Sequence, residues 1–179
     1  MKEVQLRRAA LCELAQSLSY TTKILGRKVP VTITGEEADE RNQVRARIDA
    51  AIALINAHAD QLDPADVNII HNVKSITASD WLYSFIDVRT GRFNLLFSDV
   101  LNPGMSTAFL ATDIAHDAYH VTQHRRGMEN TPENAPLYER QANAFSMRPG
   151  KIFGLTPDEL NVINSDRHTF YNPSHDPYP

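Results

Sequence analysis

HDAYHVTQHRRGMENTPENAPLYERQANAF, residues 116–145, sets two histidines four positions apart and follows them with a turn and a second segment of helical character. A helix is expected through FLATDIAHDAYHVTQHRR, with Ser106 or Thr107 as its cap and Gly127 as its stop. On it His116 and His120 project from one face, about one turn apart, so both imidazoles can share one metal ion. Asp117 places a carboxylate beside the first histidine, where it could hold or deprotonate a water. A third ligand has to come back from a second helix. Residues 128–136, MENTPENAP, carry two prolines and read as a loop. Glu139 then lies nineteen residues beyond His120, on a helix expected over about 137–147 that ends at Arg148-Pro149-Gly150.

HDAYH followed by ERQANAF resembles the HExxH and ExxANxFA pair of short gluzincins, including the ImmA/IrrE-type peptidases, over residues 105–150. The resemblance implies a Zn²⁺ cofactor held by His116, His120 and Glu139, a peptide or protein substrate, and Asp117 in the general-base position. It further implies close helix packing at Ala142, a polar contact from Asn143 near the ligands, and a core-facing Phe145. The family has glutamate where this chain has Asp117. The shorter side chain withdraws the carboxylate, and a misplacement of about 1 Å can cost about 100-fold in rate; zinc binding is less sensitive than catalysis to that change. Hydrolysis of this type also needs a donor for the oxyanion. Tyr119, Tyr138, His168 and Tyr171 are the candidates, with His168 and Tyr171 preferred as catalytic residues.

Other polar residues have two readings each. Asp113, three before His116, either orients a histidine or is a solvated helix residue. His124 continues the same row as a substrate contact or a surface histidine. His58 and His71 stand alone and read as structural, and Trp81, Tyr83 and Phe85 sit at strand spacing, as packing residues do.

Upstream, Leu6, Ala10, Leu14, Leu18 and Leu25 predict a helix over 3–25 stopped by Gly26, and VPVTITG at 29–35 predicts a strand. Val44, Ile48, Ala51, Ile52 and Ile55 mark the apolar stripe of a helix over 36–61. Strands are expected at 67–77, 81–88 and 92–100, the last two joined through Arg89-Thr90-Gly91. Thr156-Pro157-Asp158-Glu159 opens a short helix, and the tail 171–179 reads as irregular.

The chain of 179 residues is long enough to bury a core as one domain, 1–179, without disulfides. The expected fold is α+β, a small zincin-like domain with a mixed or antiparallel sheet against the metal-binding helix and the second ligand helix. Cys12 is the single cysteine, so any metal must be held by His, Asp or Glu. A net charge of −4 and no basic run longer than two residues argue against nucleic acid, and no apolar stretch of about 18 residues argues for a membrane span. Charged and polar residues interrupt the start, MKEVQLRRAALCELAQSLSY, so the expected location is the cytoplasm, or outside the cell without a cleaved signal as part of a larger protein.

Three functional readings compete. The first is a zinc-dependent metallopeptidase. The second is an inactive metal-binding or regulatory module, including a toxin-type domain of a larger protein with an inhibitory partner of unknown identity. The third takes His116-Asp117 as the doublet of an HD phosphohydrolase with His71 and Asp166; that superfamily is all-helical, and the strand-rich stretch 67–100 argues against it.

Overall fold

A computed structural model describes residues 17–80 and 84–165. Strand β1 (Ser17–Ile24) pairs antiparallel with β2 (Arg27–Thr34) through Leu25 and Gly26, whose φ angles are 49° and 84°. Two successive positive φ values are what a tight two-residue hairpin requires. This corrects the helix expected over 3–25: residues 17–24 form a strand, and residues 3–16 lie outside the described residues. Leu18 and Leu25 do stand at helical spacing, but Ser-Leu-Ser-Tyr-Thr-Thr favours a strand, and Gly26 serves the hairpin instead of a helix end.

Helix α1 (Ala38–Ala57) buries the expected stripe of Val44, Ile48, Ala51, Ile52 and Ile55. Tyr20 Oη donates to Asp49 Oδ1 at 2.8 Å, and Asn56 accepts from Leu25 N at 2.7 Å while donating to the Lys23 carbonyl at 2.8 Å. These bonds pin the hairpin to the helix. Helix α2 (Pro64–Ile70) follows, where a strand was expected from 67. A short apolar run has no periodicity to tell the two apart, and Pro64 at the first helical position decides for helix.

Strand β3 (Ser75–Ser79) lies parallel to both β2 and β5 (Arg92–Leu96), and β4 (Phe85–Asp87) closes the edge antiparallel to β5. The order is β1-β2-β3-β5-β4, so the sheet is mixed and the fold is α+β. Asp87 Oδ1 accepts from Arg89 N and Thr90 N to shape the expected β4–β5 turn. The registers align Val31 with Ile76 and Phe93, and Ile33 with Ala78 and Leu95, so one face of the sheet is apolar and buried. The expected strand 92–100 stops early, because 97–100 turn into the single-turn helix α3 (Phe97–Val100). There the Phe97 ring fills the space beside Gly35, where an added Cβ would lie 2.5 Å from Cε2.

Helix α4 (Thr107–Arg125) starts as expected, with Ser106 Oγ accepting from Phe109 N at 3.0 Å. Leu110, Ala111, Ile114, Ala115, Ala118 and Val121 give it a buried face within the same core. Helix α5 (Ala135–Phe153) lies along α4 and runs straight through Pro149 and Gly150, the residues expected to end it. It stops at Gly154, φ 89°, where Leu155 N donates back to the Gly150 carbonyl at 2.9 Å. Gly150 permits close approach: a Cβ there would lie 2.6 Å from Leu155 Cδ1 and 3.2 Å from Thr112 Cγ2 of α4. Helix α6 (Pro157–Asn164) carries the expected start as a capping box between Thr156 and Glu159.

Gly150→Ala is expected to lower stability by about 1–3 kcal/mol by overpacking the α4–α5 seam. The urea midpoint with an unchanged slope would measure it; a wild-type midpoint would mean that Leu155 simply moves aside.

Candidate metal centre

Helix α4 carries His116 and His120 one turn apart, and Glu139 enters from the first turns of α5. His116 Nε2 lies 3.1 Å from His120 Nε2 and 3.3 Å from Glu139 Oε2, and His120 Nε2 lies 3.6 Å from Glu139 Oε1. Metal bonds of about 2.0–2.1 Å in a tetrahedron place neighbouring ligand atoms about 3.3 Å apart. The two Nε2 atoms and the Glu139 carboxylate therefore already stand at about that spacing, and this is the His, His, Glu group able to hold a metal ion among the described residues. The side chains of His116, His120 and Glu139 keep 18%, 8% and 20% of their surface exposed, so the centre lies near the surface, open on one side.

The hydrogen bonds around His120 settle which of its nitrogens faces the centre. Gln123, buried one turn further along α4, presents its amide NH₂ to the Tyr138 carbonyl at 2.8 Å and to Gln141 Oε1 at 3.2 Å. A carbonyl oxygen can only accept, so the amide orientation is set, and Gln123 Oε1 must accept from His120 Nδ1–H at 2.7 Å. Nε2 of His120 is then the lone-pair nitrogen, as a metal ligand requires. The two Nε2 atoms face each other across 3.1 Å, with the Glu139 carboxylate beside both.

Charges follow the same geometry. Burial would lower the His116 pKa, but the hydrogen bond to Glu139 and the carboxylates of Asp117, Glu139 and Asp113 outweigh it and raise it above the ordinary histidine value. His120 is pushed down to about 4, by burial and then by the neighbouring His116, so it stays neutral at neutral pH. Burial lifts Asp117 to about 7, with His116 opposing and the carboxylates of Asp113 and Glu139 adding to the rise. Asp113 rises to about 7 for the same leading reason, opposed by His116 and assisted by Asp99. Asp113 is half-buried and near enough to His116 for their charges to act on each other.

Tyr138 stacks flat on His120, with ring centroids 4.4 Å apart and planes at 1°, and its hydroxyl donates to the His120 carbonyl at 3.3 Å. It supports the ligand helix from below, which removes it from the candidate oxyanion donors. Tyr119 stacks on Phe145 at 4.9 Å, and the half-buried Phe145 packs against the core. Ala142 is buried, as expected for close packing, and Asn143 beside it is buried too. His124 is exposed. His71 Nε2 donates to the Leu25 carbonyl at 3.1 Å and His58 bonds the Leu54 carbonyl at 3.0 Å, both structural roles. His168, Tyr171, Asp166 and Trp81 lie outside the described residues. Gln123 is the residue that sequence reasoning missed; nothing local in the sequence marks it, since its role depends on the covering helix α5. A shallow groove between β1 and α1, beside Tyr20, Arg45 and Asp49, contains none of the candidate residues.

No protein-family model matches the chain, and no curated protein or solved structure does. No helix among the described residues is long and apolar enough to cross a membrane.

Metal content by elemental analysis is expected near one ion per wild-type chain and strongly reduced in Glu139→Ala; equal content in both would place the ion elsewhere. Because an imidazolium cannot bind a metal, affinity is expected to fall as pH drops through the raised His116 pKa. Calorimetry in buffers of different ionisation enthalpy would register the released proton.

Proposed function

We propose that this chain is a zinc-dependent amide hydrolase of the gluzincin type, a metallopeptidase acting on a peptide or protein substrate. The observation that carries the reading is the cluster of His116, His120 and Glu139, whose Nε2 and carboxylate atoms lie 3.1 to 3.6 Å apart, three candidate ligands among the described residues. Three protein ligands are the pattern of catalytic zinc, whereas structural sites take four. Zinc bound there would polarise the scissile carbonyl and lower the pKa of a water.

The remaining roles fall to the chain's own side chains. Asp117, next to His116 on α4, can take a proton from a nucleophilic water and pass it to the leaving amine. Asp113 adds negative charge near His116, on top of that of Asp117 and Glu139. Gln123 holds His120 in its ligand tautomer. His168 and Tyr171 remain the proposed oxyanion donors. Peptide hydrolysis makes no demand on a nucleic-acid or membrane surface.

A second reading keeps the metal and drops the chemistry: a metal-binding or regulatory module, including a toxin-type domain of a larger protein. Asp117 favours it, since its carboxylate stands one methylene short of the glutamate in the HExxH pattern.

Peptide-library hydrolysis by zinc-loaded protein separates the two. His120→Ala is expected to lose both metal and turnover, whereas Asp117→Asn keeps the metal and loses about 10²–10⁴ in kcat. Full zinc occupancy with no cleavage of any peptide by the wild type would leave the second reading; cleavage unaffected by Asp117→Asn would remove Asp117 from the mechanism.

A further inference from the structure

We infer that Gln123 is the positioning residue of the centre, one amide that presets both the tautomer of His120 and the place of Glu139. The inference rests on the metal-centre reading above and extends it to a residue outside the ligand set. Gln123 is 1% exposed and sits between the two ligand helices. Its carbonyl oxygen takes the Nδ1 proton of His120 at 2.7 Å, which leaves the Nε2 lone pair facing His116 and Glu139. Its NH₂ donates across the seam to the Tyr138 carbonyl at 2.8 Å, and Tyr138 is the residue immediately before Glu139. The same NH₂ reaches Gln141 Oε1 at 3.2 Å, two residues after Glu139. Acceptor and donor functions of one side chain thus hold two different ligands.

Neutral glutamine is suited to both tasks. A carboxylate would serve His120 but would leave the Tyr138 carbonyl facing an acceptor. An apolar side chain would leave the imidazole free to move its proton to Nε2, where it blocks the metal. Tautomer and affinity are therefore linked through a side chain that never touches the ion.

The experiment uses the full chain, metal-free, labelled with ¹⁵N and held at mildly alkaline pH. Two-bond proton–nitrogen correlations report the His120 tautomer, and competition with a chromophoric chelator reports Zn²⁺ affinity. Wild type is expected to show Nδ1–H. Gln123→Met is expected to shift His120 toward Nε2–H and to weaken Zn²⁺ binding about 10–100-fold, the usual effect of losing an outer-shell partner. Gln123→Glu is expected to keep Nδ1–H while still weakening Zn²⁺ binding through the lost contact to the Tyr138 carbonyl. An unchanged tautomer in Gln123→Met, or Nε2–H in the wild type, would overturn the assignment. Should the methionine variant fail to fold, an Nε2–H tautomer in Gln123→Glu would overturn it as well. Absence of Zn²⁺ binding by the wild type would remove the metal reading, while the tautomer comparison would still decide what Gln123 does.

Discussion

A small divalent ion requires its ligand atoms within about 3.3 Å of one another, and one straight helix can offer it only two side chains from successive turns. The third has to arrive from a second backbone lying alongside, so the centre depends on how closely α4 and α5 approach. Ala142, Ser146 and Gly150 of α5 are buried small residues, and Thr112 of α4 packs where a side chain at Gly150 would stand. The sheet serves the same end indirectly. Its apolar rows, Val31 with Ile76 and Phe93 and Ile33 with Ala78 and Leu95, belong to the core that anchors the buried face of α4 and leaves the opposite side for the site.

How much of this was legible in the sequence follows from whether a signal was local. The stripe of α1, the Ser106 cap of α4 and the Thr156 capping box are made within one element, and each was readable. Strand β1 was misread because its leucines fall at spacings compatible with a helix and its true partner lies across the hairpin. Helix α2 was misread because four apolar-rich residues carry too little periodicity to choose a conformation. The parallel pairing of β3 was invisible for a related reason, since nothing in Ser75–Ser79 names its neighbours.

The centre divides the same way. His116, His120 and Glu139 were legible because helix geometry converts spacing into direction, and a loop of suitable length converts separation into proximity. Gln123 was not, because a glutamine three places after a histidine looks like any polar helix residue until α5 covers it. The breaker pair Pro149-Gly150 misled for a similar reason: locally it ends a helix, but in the packed protein the missing Cβ of Gly150 admits Thr112 and Leu155. The preferred oxyanion donors, His168 and Tyr171, lie outside the described residues, so that part of the sequence reading stands where it began.

The loop between the ligand helices has a further consequence. His120 and Glu139 are joined by residues 121–138, and an ion bound to both would close that stretch into a ring. In the language of polymer physics it is a reversible cross-link, which removes conformations from the unfolded chain and costs the folded one nothing where the donor atoms already stand in place. The ion would then be mechanical as well as chemical: a rivet beside the Gln123–Tyr138 bond at one end of the seam, opposite the tight contact at Gly150.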